Sequence, residues 1–162
     1  MSKTDAVEID KLDPADFYAV MDEIIEWNNY EAEAFDEGLA MDEYERVSLG
    51  ERMAMIVQDH DYGIVFVAKA ADKVVGFIVG FINGQRGYIQ DFWVGEEYRG
   101  GKDPLYNKLF KVVMLYFRYK RCTRVNCSFA KHNRAIISLA TKHEFRPMSV
   151  NYQLDLGIGE DE

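Results

Sequence analysis

The stretch RGYIQDFWVGEEYRGGKDPLYNKLFKVVMLYFRYK, Arg86 to Lys120, decides how this chain is read. Tyr88 to Val94 is aromatic and β-branched, the composition of a buried strand. Gly95 to Lys102 carries three glycines and the cations Arg99 and Lys102, and reads as a loop. From Leu105 onward the apolar positions are Leu105, Leu109, Val112, Val113, Tyr116 and Phe117, which is helical spacing. A strand that feeds a glycine loop and then a helix is a common way to hold phosphate. The free backbone N–H groups point at the anion, and the helix dipole adds favourable potential.

Outward from this stretch the chain alternates between clear and unclear signals. Ala6 to Leu12 alternates as a first edge strand. Asp13-Pro14 then reads as an N-cap followed by proline at the first helical position. Phe17, Val20, Met21, Ile24 and Ile25 form one apolar stripe, so a helix is expected to about Asn28. Tyr30 to Ala40 is open between a short helix and a loop. Asp42 with Glu45 resembles a capping box, which predicts a helix to about Gln58. Strands are expected over Ile64–Ala70 and Val74–Ile82, joined by a tight Ala71-Asp72-Lys73 connection. Gly76 and Gly80 would allow a bend or a close approach. Asn83-Gly84 is a strong hairpin signal. After the central helix, Thr123–Phe129 reads as a strand, a short helix starts near His132, and Phe145–Leu156 reads as one or two strands. The acidic tail, residues 157–162, is expected to fray. The order βααβββαβαβ is an α+β arrangement: one central mixed, mostly antiparallel sheet flanked by helices, in a single domain over residues 1–162.

The net charge of -9 argues against a nucleic-acid partner and permits cationic small molecules or basic peptides. Cys122 and Cys127 are expected on opposite faces of one strand, unpaired, which suits a reducing compartment. The longest apolar run, Val74 to Ile82, is short and glycine-interrupted, so no membrane span is expected. No N-terminal signal is visible, and a cytoplasmic domain is the expectation. His60, His132 and His143 are scattered and suggest no metal site.

YIQDFWVGEEYRGG followed by a long helix resembles the central motif of the GNAT superfamily, the acyl-CoA-dependent N-acyltransferases. The resemblance spans roughly Ile64 to Leu156. It implies that acetyl-CoA enters a V-shaped opening where the strand of Tyr88–Val94 splays from that of Thr123–Phe129. It implies cofactor contacts at Phe92, Trp93, Val94, Arg99, Gly100, Gly101, Lys102 and Asn133. In the family the loop reads Q/R-x-x-G-x-G/A; here Arg99 opens it, but Lys102 stands at the expected glycine and Pro104 at the final Gly/Ala. Asn133 and Phe145 match a second signature around KHNRAIISLATKHEF. There Ala140 replaces a tyrosine that protonates the leaving thiolate in many members, and Glu144 replaces the glycine before the aromatic.

The catalytic acid and base are not assigned by these residues. Strict alternation puts Tyr88, Gln90, Phe92 and Val94 on one face of the strand, and Asp91 on the other as a structural residue. Family members often carry a glutamate at the positions of Gln90 or Tyr88. The candidates are therefore Tyr88, Gln90 and Glu96, the last acting through water. On the acceptor side the resemblance places Tyr30, Glu31 and Tyr44, within an acidic and aromatic segment that suits a cationic amine. A merely solvated acidic surface is the alternative there. The loop from Arg99 to Leu105 likewise reads as a phosphate cradle or as a structural turn capped by Asp103. The functional reading is an acetyl-CoA-dependent N-acetyltransferase acting on a small or peptide amine, with no metal and room for a homodimer. The rivals are a module of the same fold that binds acyl-CoA or a protein without turnover, and a structural interaction domain.

Overall fold

The structure is a computed structural model that describes residues 6–34, 41–100, 104–129, 134–150, 152, 154 and 156. Four antiparallel strands, β1 (Val7–Lys11), β2 (Gly63–Ala70), β3 (Lys73–Asn83) and β4 (Arg86–Val94), lie side by side in chain order. A short fifth strand, β5 (Arg124–Cys127), pairs in parallel with β4. This is the α+β class and the mixed sheet that the sequence implies.

Helices cover both faces. On one face α1 (Phe17–Ala34) and α2 (Glu43–Gln58) bury Val20, Ile24, Leu49, Met53 and Ile56 against Val65, Val67, Phe77 and Val79. On the other, α3 (Leu105–Tyr119) and α4 (Arg134–Lys142) bury Leu105, Leu109, Val113, Phe117, Ile136 and Leu139 against Ile64, Ile78, Ile89, Phe92 and Val94. The apolar positions spaced three and four apart decide which stripe of each helix turns inward.

Local signals place most element ends. Asp13 Oδ1 accepts from Ala15 N at 2.9 Å above a single 3-10 turn, and α1 follows. α1 runs past its expected end near Asn28, so Tyr30 is helical. Asp42 and Glu45 form the expected capping box, with bonds of 2.8 and 2.9 Å. Ala71-Asp72 joins β2 to β3, and Gly84, with φ of 61°, opens the β3–β4 hairpin. At α3 the expectation fails: Pro104 is the N-cap and makes no side-chain cap bond, so the helix begins at Leu105. Asp103, the expected cap, lies outside the described residues.

Two further departures have physical causes. Among the described residues no strand follows α4; Met148, Val150, Tyr152, Leu154 and Leu156 are 73–93% exposed. Their alternation is a strand pattern, but a strand also needs a paired edge, which pattern alone does not supply. The acidic tail, residues 157–162, lies outside the described residues. Cys122 precedes β5 rather than sitting in it, so it and Cys127 pack against the same cluster. Both are free thiols.

The sheet is bulged near its centre. Val79 pairs with Asp91 and Gly80 with Ile89, so Gln90 is an extra residue on β4. Phe117 crosses the sheet just beyond, where a Cβ on Gly80 or Gly87 would come within 2.8 or 2.7 Å of its ring. Gly80 thus serves the close approach anticipated for it.

Candidate active site

β4 and β5 part company halfway along. Their ladder runs from Arg86↔Arg124 to Ile89↔Cys127, and β4 continues to Val94 paired only with β3. The edge of β4 from Gln90 to Val94 therefore faces an opening with no strand beside it. At the end of that edge Gly95 N donates to Val75 O, and a 3-10 turn, Glu96–Tyr98, reverses the chain. Arg99 folds back so that Nε donates to the Val94 carbonyl at 2.8 Å. The first turn of α3 contains no acidic residue, so no carboxylate of that turn offsets the positive end of its dipole. Gly101, Lys102 and Asn133 lie outside the described residues. Gly100 is exposed, and a Cβ there would meet nothing within 4 Å.

The side chains expected at the cofactor divide between two faces. Phe92 is 7% exposed and meets Tyr106 edge to face at 5.0 Å. Val94 is wholly buried beside it. These two offer a cofactor their backbone rather than their side chains. Trp93 points the other way, onto Phe77 at 5.6 Å.

The bulge corrects the predicted alternation. Tyr88, opposite Phe81, and Asp91, opposite Val79, lie on the α2 side with Trp93, while Phe92 and Val94 lie on the α3 side. Tyr88 and Phe92 therefore do not share a face. Asp91 lies on the face opposite Phe92 and Val94, as the alternation expects, but the bulge brings it onto the same face as Tyr88. Burial pushes its pKa up to about 6, against a smaller downward pull from Arg52. Arg52 reaches from α2 to donate to Gln90 Oε1 at 3.3 Å, and its guanidinium lies 5.4 Å from the Phe81 ring centre. Gln90 is thus a tether for Arg52. Glu96 is exposed on the turn beyond β4.

The acidic segment is partly consumed by helix architecture. Asp42 and Glu45 cap α2, and Asn28 Oδ1 accepts from Met41 N at 2.8 Å to hold α1 near α2. Tyr30 ends 51% exposed on α1, and Tyr44 is 81% exposed in the first turn of α2. Glu31 is helical, and its side chain lies outside the description. At the far end of the site Ala140 faces the α4 cap, where its carbonyl accepts from Phe145 N at 3.0 Å. His143 stacks on Phe110 at 4.6 Å, and Phe145 meets the same ring at 5.7 Å. Among the described residues no group of three or more potential ligands could hold a metal ion, and no helix is long and apolar enough to cross a membrane.

A larger hollow of about 530 Å³ lies at the β2–β3 turn, lined by Ala19, Glu23 and Asp72 among others. It shares no residue with the opening or with the Asp91 face.

Comparison with known proteins agrees with this geometry. Residues 21–145 match the model of the acetyltransferase (GNAT) family. No curated protein sequence matches the chain. Among solved structures, the PaiA N-acetyltransferase of Thermoplasma acidophilum in complex with coenzyme A is 18% identical, with a TM-score of 0.67 over 85% of this chain and 87% of that one. AAC(6')-Iy, in complex with the bisubstrate analogue CoA-S-monomethyl-acetylneamine, is 14% identical, with a TM-score of 0.63 over 92% and 98% of the two chains. The tetramutant of the BH1408 protein from Bacillus halodurans is 16% identical, with a TM-score of 0.70 over 92% and 99%. At these identities the likeness is one of fold.

Proposed function

The chain belongs to the acetyltransferase (GNAT) family, and we propose on that premise that it moves an acetyl group from acetyl-CoA to the amine of a small molecule or peptide, with Asp91 as general base. The observation that carries this reading is a carboxylate that burial raises to a pKa of about 6, set on the α2 side of β4 in the stretch that β5 leaves unpaired. A base titrating near the working pH is effective because it is both largely ionised and still able to take a proton.

In this mechanism the pantetheine arm lies along Gln90–Val94 and completes the sheet's hydrogen bonding. The pyrophosphate rests at Arg99, Gly100, Gly101 and Lys102, before the unacidic first turn of α3. A backbone N–H near Val94 polarises the thioester carbonyl. The amine attacks from the α2 side and gives its proton to Asp91, directly or through one water. The new N–C bond forms as the C–S bond breaks, and water protonates the departing thiolate, because Ala140 has no hydroxyl to do so. A cationic amine is drawn to the Asp91 carboxylate, and Tyr30, Glu31 and Tyr44 border its approach. The chemistry calls for no metal. Free Cys122 and Cys127 suit a reducing cytoplasm.

The test is an acetyl-CoA titration by calorimetry, followed by a screen of amines scored by thiol release. Binding with turnover whose acid limb lies near pH 6 is expected. Binding without turnover on any amine would favour the non-catalytic module, and no heat at millimolar acetyl-CoA would reject both.

A further inference from the structure

Arg86 and Arg124 stand directly opposite each other on β4 and β5. Gly87 and Ile89 turn toward α3, so Arg86 and Tyr88 turn the other way. Register partners in a parallel pair share a face, which puts Arg124 and Asn126 on the Asp91 side as well. Like charges opposed across strands are destabilising. Among the described residues neither guanidinium has a hydrogen bond or an ion pair, although the chain as a whole carries a charge of -9. Both arginines are exposed, and with Gln85 and Thr123 they line a cavity of about 300 Å³. Its wall is fixed: Gln85 O accepts from Thr123 N at 2.8 Å and from Thr123 Oγ1 at 3.3 Å. Two forked donors held at one register point are the arrangement that a carboxylate or phosphate satisfies.

We infer that the acceptor carries an oxyanion in addition to its amine, and that Arg86 and Arg124 hold that oxyanion while the amine sits at Asp91. This rests on the reading of the Asp91 face as the acceptor side. The ladder sets the span. Arg86 lies opposite Asn83 and Asp91 opposite Val79, four steps of about 3.3 Å, or roughly 13 Å between the two backbones. An acceptor of that reach is an extended molecule with a terminal or side-chain carboxylate, or an amine bearing a phosphate. A compact amine without a remote charge would leave the arginine pair unused.

The pair can be tested without turnover. In protein labelled with ¹⁵N-arginine, the side-chain Nε–H signals of Arg86 and Arg124 are assigned by their loss in R86Q and R124Q. Titration with inorganic phosphate and, separately, with acetate is run against chloride at matched ionic strength. Both signals should move together and saturate with at least one oxyanion, and the stronger arm identifies phosphate or carboxylate as the group read. Shifts that match those in chloride overturn the inference. A kinetic arm compares acceptors that differ only in a remote carboxylate or phosphate. The anionic member should be preferred roughly tenfold or more in kcat/KM, the scale of a charge-assisted contact. R86Q/R124Q should abolish that preference, and R124K, which keeps the charge but loses the fork, should keep part of it. A preference untouched by the double substitution also overturns the inference. Phosphate binding needs no acetyl-CoA, so it would survive if no amine were acetylated. Conversely, Asp91-dependent turnover with no oxyanion response would sink the inference and leave the proposed function standing.

Discussion

The two faces of β4 are built on different terms. Toward α3 the strand offers Ile89, Phe92 and Val94, each under 10% exposed, to Leu105, Leu109, Val113 and Phe117. That face holds its partners by shape. Toward α2 it offers Tyr88, Gln90, Asp91 and Trp93, with Gln90 bonded to Arg52 and Trp93 packed on Phe77. That face carries the polar and titrating groups, and the protonation of Asp91 depends on Arg52. A single extra residue, Gln90, separates the two programmes. Changes on the α3 side should therefore register as stability, and changes on the α2 side as rate and pH dependence.

Asp91→Asn should produce the largest effect and moves both quantities, in opposite directions. Loss of a general base should lower kcat/KM by roughly two to four orders of magnitude. Wild-type activity should fall about tenfold per pH unit below about pH 6 as the carboxylate protonates, and the variant should show no such limb. Stability goes the other way. Asp91 is raised in the folded state from its ordinary 3.8 to about 6. Its favourable contribution is therefore complete below the unfolded pKa and is lost as pH rises through about 6. At neutral pH the ionised group is a liability on the order of 3 kcal/mol. Urea unfolding at pH 7.5 should thus find the asparagine variant more stable than wild type and the gap closed near pH 4. A variant that is less stable at both pH values would mean that Asp91 is a structural anchor, and the contrast between the faces would fail.

Gly87→Ala tests the other face. The new methyl would start 2.7 Å from the Phe117 ring, and overpacking of this kind costs about 1–3 kcal/mol. The denaturant midpoint should drop, with the acid limb of the rate profile unmoved. A shifted limb at unchanged stability would show that the faces are not separate.

That separation also explains what could be read from the residues. The α3 face follows from periods of 3.6 and 2 that each segment carries by itself. The Asp42–Glu45 cap and the Gly84 hairpin are local in the same sense, which is why they were legible. The bulge is not local, because it exists only in the pairing of β4 with β3. Counting by twos through Gln90 therefore puts Tyr88 on the face of Phe92 and Val94, and so hides that it shares a face with Asp91, the base proposed above. A carboxylate flanked by Gln90 and Phe92 in an otherwise apolar strand was the available signal. Pro104 at the N-cap of α3 and the unpaired C-terminal segment were missed for a related reason, since each depends on what the chain meets in space.

Arg52→Ala should have a smaller effect, and on the α2 face alone. Arg52 holds the Asp91 pKa below where burial alone would put it. Without it the acid limb should move to higher pH, with a modest drop in rate at neutral pH. The bond to Gln90 is lost as well, but Gln90 is exposed, so apart from the roughly 1.4 kcal/mol of neutral-pH stability lost per unit of limb shift, stability should change by about 0.5 kcal/mol or less. An unmoved limb would show that the group titrating near pH 6 is not Asp91.

The smallest effect on turnover is expected where the α3 face is closed by the chain after α4. Glu144 has φ of 66°. Its N–H donates to Thr141 O, and the next N–H, from Phe145, donates to Ala140 O. These two bonds are the helix-ending motif that ordinarily takes glycine. The turn delivers Phe145 onto Phe110, so the motif is kept although its residue is wrong for it. A left-handed non-glycine residue costs about 1–2 kcal/mol, and a carboxylate at a helix C-terminus adds a few tenths. Glycine regains this but gives up roughly 0.5–1 kcal/mol to the freedom of the unfolded chain. Glu144→Gly should therefore stabilise by about 0.5–1 kcal/mol, seen as a higher urea midpoint, with the pH profile of turnover unchanged. The end of α3 repeats the backbone motif with a favourable cation in place of the carboxylate, because Arg121 has φ of 59° and the same two bonds run from Arg121 N to Arg118 O and from Cys122 N to Phe117 O. If both glycine variants are stabilised, the α3 face carries a backbone strain that its packing outweighs. If Glu144→Gly alone is destabilised, Glu144 makes a favourable contribution that outweighs its backbone cost, and shape alone does not govern that face.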